Sequence, residues 1–251
     1  MPLRSQQPPF SGELTFLVEG PPVSQQSRRS EKDTFAESIR AQMSECGYLL
    51  SGDVRIHIEW TLHEQNRYES DAAPDVDNIL KPLLDALCGP EGVLIDDCQV
   101  QAVDCRWLDW TERGQQVEIT IAFFRDEWVS KEALCFVHLG KGLCFPINKI
   151  RPAAAMLMLI DQICGMCSYR DAMLEGGEDY YAAKRLMPIQ RVFHRSRVTK
   201  FPVVELGALR TALEVEMAAE PPSPETEELR REMAEWRERR ARLKRGPNPT
   251  T

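Results

Sequence analysis

Four carboxylates fall within twenty-three positions of one another: Asp75, Asp77, Asp96 and Asp97. All stand at the edges of apolar runs, in Pro74-Asp-Val-Asp-Asn-Ile-Leu-Lys-Pro-Leu-Leu-Asp-Ala-Leu87 and Val93-Leu-Ile-Asp-Asp-Cys-Gln-Val100. Clustered carboxylates repel one another and lose hydration, so a fold keeps them together only where a cation or a proton offsets the charge. A hard divalent ion such as Mg²⁺ suits that task, because it takes one or two carboxylates together with waters and phosphate oxygens. Each half of the pattern also has a plainer explanation. Asp75 and Asp77 can cap the helix that follows, and Asp96-Asp97 can form a turn. Asn78 and Lys81 add to the chemistry, Lys81 being four residues after Asp77 and on the same helical side.

The surrounding residues predict how these groups are carried. Ile79, Leu80, Leu83, Leu84 and Leu87 repeat at helical spacing, which gives a helix with one core face and a polar start. Cys88-Gly-Pro-Glu-Gly92 stops it, and Val93-Leu94-Ile95 is expected to be a short buried strand returning Asp96 and Asp97 toward the helix start. Pro82 inside a helix would cost about 3 kcal/mol. The expected cap is therefore Asp77 or Asn78, with Pro82 at the end of the first turn and Asp75 on the entering segment. Asp75 and Asp77 would then converge on a metal beside free backbone N–H groups that favour a phosphate.

Taken together, Asp75-x-Asp77-Asn78-x-x-Lys81, then Leu84-Asp-Ala-Leu87, a glycine, and Asp96-Asp97-x-Gln99-Val100 resemble the RusA family of Holliday-junction resolvases. The likeness is dense over residues 74–100. It extends loosely to a first strand and Gly20-Pro-Pro-Val-Ser-Gln-Gln-Ser27, and so covers about residues 12–125. It implies that Asp75, Asp77 and Asp97 are metal-binding and catalytic, that Lys81 is needed for cleavage, and that Asp96, Asn78 and Gln99 support them. It further implies Mg²⁺ as cofactor, with Mn²⁺ as a substitute. The substrate would be a four-way DNA junction, cut symmetrically by a homodimer to leave 5′-phosphate ends, in recombination and repair. A bacterial or phage-encoded, nucleoid-associated protein is implied as well.

Length and composition limit the remaining options. The 43% hydrophobic share and five tryptophans of this 251-residue chain are enough for a substantial core. Met1 to Pro9 is polar and proline-rich, unlike a secretory signal, and the longest apolar run, Ala153 to Ile160, is far short of the ~20 residues that cross a bilayer. A soluble, cytoplasmic protein without membrane contact is expected. The eight cysteines lack a compact disulfide pattern and are expected to be reduced thiols. Cys164-Gly-Met-Cys167 is a single CxxC, with only His138 and His194 as candidates to complete a zinc site; small buried hydrophobes are the simpler reading.

The net charge of −8 argues against a general electrostatic grip on nucleic acid. Residues 1–125 hold 21 acidic and 11 basic side chains, 126–222 hold 12 of each, and 223–251 hold 6 and 8. The candidate nuclease half is thus the most acidic. Phosphate contacts would come from Arg28, Arg29 and Lys32 in a polar loop, from Arg67 in the polar segment 63–73, or from the basic stretch Lys184 to Lys200, whose default role is a solvated face.

The expected fold class is α+β. A mixed β-sheet with helices on it occupies 1–125, in the order strand, helix, strand, helix, strand, strand, strand. Residues 126–222 are expected to be mainly α-helical and of unknown role. A charged helix, about 225–245, and a tail complete 223–251, with Ser223 as cap and Pro224 as the first helical residue. Two functions follow: a metal-dependent endonuclease, or a non-catalytic protein that binds DNA junctions or a protein partner through its second half.

Overall fold

The computed structural model describes residues 5–69, 73–109, 114–150, 152–220 and 224–244. In chain order the elements are β1 (Glu13–Glu19), α1 (Arg29–Met43), β2 (Tyr48–Leu50), β3 (Val54–Leu62), α2 (Glu64–Tyr68), α3 (Val76–Leu87), β4 (Val100–Asp109), β5 (Gln116–Phe123), β6 (Trp128–Ser130), β7 (Leu134–Gly140), β8 (Leu143–Asn148), α4 (Ala153–Glu175), α5 (Tyr180–Lys184), β9 (Phe193–His194), β10 (Val203–Glu205), α6 (Leu206–Ala219) and α7 (Pro224–Lys244). They belong to an α+β protein. The chain forms two compact units, one made of 1–136, 140–148 and 189–203, the other of 137–139, 149–188 and 204–251.

In the first unit a four-stranded sheet runs in the order β1-β5-β3-β4. The β1–β5 and β3–β5 pairs are antiparallel and the β3–β4 pair is parallel, so the sheet is mixed. Alternation fixes its faces. Leu14, Phe16 and Val18, Val54, Ile56, Ile58 and Trp60, and Val117, Ile119 and Ile121 all point into one core. Phe35, Ile39 and Met43 of α1 and Ile79, Leu83, Ala86 and Leu87 of α3 cover that face. Because β3 and β4 are parallel, the chain must cross over between them, and α3 lies in that crossover.

Several boundaries differ from expectation. α1 starts at Arg29, with Arg28 as its N-cap, where Glu31 Oε2 accepts from the Arg28 N–H at 3.0 Å. Arg29 and Lys32 are therefore helical and not part of a loop. Residues 64–68 of the expected polar loop form α2. Residues 126–222 contain the expected helices, but also five short strands, β6 to β10.

The first unit also extends past residue 125. A second apolar cluster joins Leu49 and Ile95 to Val129, Leu134, Phe136, Cys144, Phe193, Val198 and Phe201. Arg191 ties its segment to Asp53 by two bonds of 2.5 and 2.6 Å.

In the second unit α4 packs with α6 and α7. It buries Met156, Leu157, Ile160 and Ile163, and its buried Asp161 pairs with Arg210. Glu220 caps the start of α4 by accepting from the Ala153 N–H at 2.8 Å, where a carboxylate also suits the helix dipole. α7 begins at Pro224 as expected, and Met233 of its thin apolar stripe is buried. The linker Pro221-Pro-Ser223, the tail from Asn248, and the side chains of Arg240 and Leu243 lie outside the described residues.

Candidate active site

Helix α3 organises the candidate residues. Its N-cap is Asp75, in extended conformation, and not Asp77 or Asn78. Pro82 consequently lies in the second turn, where its ring removes the N–H that would have bonded the Asn78 carbonyl. That carbonyl instead accepts the Gln25 N–H at 2.9 Å. The proline is tolerated because a loop donates in its place, and the loop 20–27 is thereby pinned to the first turn of α3. Lys32 Nζ fastens the same loop by donating to the Gln25 carbonyl at 3.1 Å.

Asp75 and Asp77 are exposed, and neither carboxylate bonds another described residue. Asp96 and Asp97 arrive differently from expectation. Val93, Leu94 and Ile95 are buried, but they form only bridges, Leu94 with Leu50 and with Cys88, and no strand. A tight turn precedes them: Gly89 has φ +108, and a Cβ at Gly92 would run into the Leu87 carbonyl. The turn brings the chain up against the end of α3, with the Val93 and Leu94 N–H groups both donating to Leu87 O at 2.9 Å.

Asp97 therefore comes close to α3, within reach of the Lys81 side chain and with its charge felt at Cys88. Among the described residues no group of three or more His, Cys, Asp or Glu side chains is arranged to hold a metal ion. The donor set itself, carboxylates with two of them unengaged by described residues, has the chemistry a hard divalent ion requires.

Asp97 is balanced by cations. Lys81 Nζ bonds Asp85 Oδ1 at 2.6 Å and approaches Asp97 Oδ2 at 3.5 Å. The hydrogen bond to Asp85, aided by the charges of Asp85 and Asp97, holds the Lys81 ammonium above its ordinary pKa. Lys81 thus stays charged through neutral and mildly alkaline pH, and a basic limb in that range would belong to another group. Arg197 Nη1 reaches Asp96 Oδ1 at 3.2 Å and Asp97 Oδ1 at 3.4 Å. Arg197 was expected only as one of the cations in the basic stretch Lys184 to Lys200, and Asp85 was given no role. Asp85 could have been found from its i, i+4 spacing to Lys81. No local pattern ties residue 197 to residue 97.

Gln99 supports the site from below. It is 3% exposed; its Oε1 accepts from the Ile95 and Asp96 N–H groups at 2.8 and 3.1 Å, and its Nε2 donates to the Leu50 and Gly52 carbonyls at 2.8 Å each. Asp96 caps the 3₁₀ turn Asp97–Gln99, accepting from the Cys98 N–H at 3.1 Å. Burial, with the nearby charges of Asp97 and Asp96, pushes the Cys88 thiol up to about 12, so at neutral pH it is a protonated thiol and a poor ligand.

The expected DNA contacts divide. Arg29, Lys32 and Arg40 share an open groove of about 560 Å³ with Lys81, between α1 and α3. Arg28 does not line it. Arg67 lies over the Tyr68 ring at 4.8 Å and near Asp109 at 3.9 Å. Elsewhere, His138 pairs with Glu205 and His194 with Ser196, while Cys164 and Cys167 lie on α4; none of the eight cysteines is disulfide-bonded. No helix among the described residues is long and apolar enough to cross a membrane.

Residues 19–122 match the family model of the endodeoxyribonuclease RusA. The matched stretch lies within the first unit, and the family it resembles is one of endodeoxyribonucleases. No curated protein matches the chain.

Proposed function

We propose that the protein is a divalent-metal-dependent endodeoxyribonuclease that resolves four-way DNA junctions as a homodimer. The observation that carries this reading is the RusA match over residues 19–122, which contains Asp75, Asp77, Lys81 and Asp97. Two-fold symmetry of the junction calls for two sites related by the same symmetry, which a dimer supplies.

Asp75, Asp77 and Asp97 are the residues that would hold the ion, Mg²⁺ or Mn²⁺, which when bound supplies a water of lowered pKa and neutralises phosphate charge. Lys81 is a standing cation beside Asp97 and offsets negative charge that develops on the phosphate or the leaving oxygen. Replacing it by methionine is expected to lower the cleavage rate by about 10²-fold while junction binding changes little, measured by single-turnover cleavage of a labelled junction. The groove of Arg29, Lys32, Arg40 and Lys81 suits the DNA backbone, despite the acidic balance of the domain. Arg29→Ala with Lys32→Ala is expected to weaken junction binding and to lower the slope of log affinity against log salt by about 1–2, as two lost phosphate contacts would. An unchanged slope counts against this groove.

One observation favours a second reading, a non-catalytic junction-binding or partner-binding protein: Asp97 is already paired with Lys81 and Arg197. Metal-dependent nicking of a labelled four-way junction separates the two. Cleavage that requires Mg²⁺ or Mn²⁺ supports the nuclease, and tight binding without nicking supports the alternative.

A further inference from the structure

The segment 189–203 lies outside the stretch matched by the RusA family model, yet it belongs to the same compact unit and brings a guanidinium to the acidic turn. Both partners of this contact are tethered to one core. Val198, fully buried, follows Arg197, and Ile95, 2% exposed, precedes Asp96; the two apolar side chains belong to the same cluster. The Arg195 N–H donates to the Gly142 carbonyl at 2.8 Å, and His194 caps the short turn that carries Arg197. Arg197 is thus held against Asp96 and Asp97 by backbone that cannot drift far. The Asp97 side chain remains 37% exposed, open to a second cation.

We propose that Arg197 is an internal counter-ion of the acidic site, competing with the divalent cation for Asp97. It rests on the metal-dependent reading above. A guanidinium is permanently charged, so it offsets Asp96 and Asp97 at every pH at which they are ionised. A divalent ion that takes Asp97 must displace this contact, and the freed guanidinium is a fork suited to a phosphate. Arg197 is thus a positioning residue, which keeps the acidic turn in place and sets how tightly the ion binds.

The test is binding of Mn²⁺ alone to the full chain, by calorimetry, for wild type, Arg197→Gln and Arg197→Lys, with folding checked by circular dichroism. Removing the charge at Arg197→Gln is expected to tighten Mn²⁺ binding about fivefold, the scale of one partly exposed ion pair. Arg197→Lys, which keeps the charge but loses the fork, is expected to lie between Gln and wild type, and remains informative if the Gln variant does not fold. A merely structural role predicts the reverse, equal or weaker Mn²⁺ binding in the variants, and that result overturns the proposal. If wild type and both variants bind no Mn²⁺ at millimolar concentration, the metal-dependent reading falls, and this proposal falls with it.

Discussion

Asp97→Asn and Asp77→Asn are each expected to reduce metal-dependent cleavage of a four-way junction by at least about 10³-fold. A metal-held site contributes several kcal/mol of charge stabilisation, and each 1.4 kcal/mol is roughly tenfold in rate. Junction binding should survive or tighten, since either change removes a negative charge facing the phosphates. For Asp77 the argument is direct, because its carboxylate is exposed and bonds no other described residue, so its loss disturbs little else. For Asp97 the amide keeps the shape but weakens the contacts with Lys81 and Arg197. Gel-shift and single-turnover cleavage measured side by side distinguish these effects. Wild-type cutting rates in both variants would mean that the chemistry belongs to other residues.

The largest expected loss of stability is at Gln99. Gln99→Leu fills the same space but abandons four hydrogen bonds and leaves the Leu50 and Gly52 carbonyls and the Ile95 and Asp96 N–H groups without that partner. At roughly 1 kcal/mol for each bond, the total is about 3 kcal/mol after the gain from a buried apolar side chain. Thermal denaturation should register this as a fall in Tm of about 6–12 °C. Gln99→Glu tests the direction of the clamp, because it keeps both acceptor contacts but turns an oxygen toward two carbonyls. It should be no more stable than the leucine variant. A Tm within 2 °C of wild type, a margin of about 1 kcal/mol, would show that the clamp contributes little.

The acidic helix and the sheet were legible because their signals are local. Ile79, Leu83 and Leu87 recur at helical spacing, and Val54, Ile56, Ile58 and Trp60 alternate, so each segment states its own core face. The residue types of the candidate site were legible for the same reason, since Asp75, Asp77 and Lys81 lie within seven positions. Their spatial arrangement was not. Where Asp97 comes to lie against α3 depends on the tight turn at Gly89 and Gly92 and on the parallel pairing of β3 with β4, and that pairing is non-local. The cap was misplaced for a related reason. Pro82 argued for a later start to α3, and only the distant Gln25, supplying the missing bond, permits the earlier one. Arg197 and the strands after residue 125 lacked any sequence signal that ties them to the first unit.

The interleaved make-up of the first unit has a consequence for biosynthesis. Phe193, Val198 and Phe201 close the cluster around Phe136 and Ile95, yet the forty residues 149–188, which belong to the other unit, are translated before them. A nascent chain that has emerged only as far as the end of β5 has its main sheet but a gap beside Ile95, next to the acidic turn. The ribosome must therefore deliver residue 203 before this unit can finish folding, so its assembly waits until a long stretch belonging to the other unit has been made.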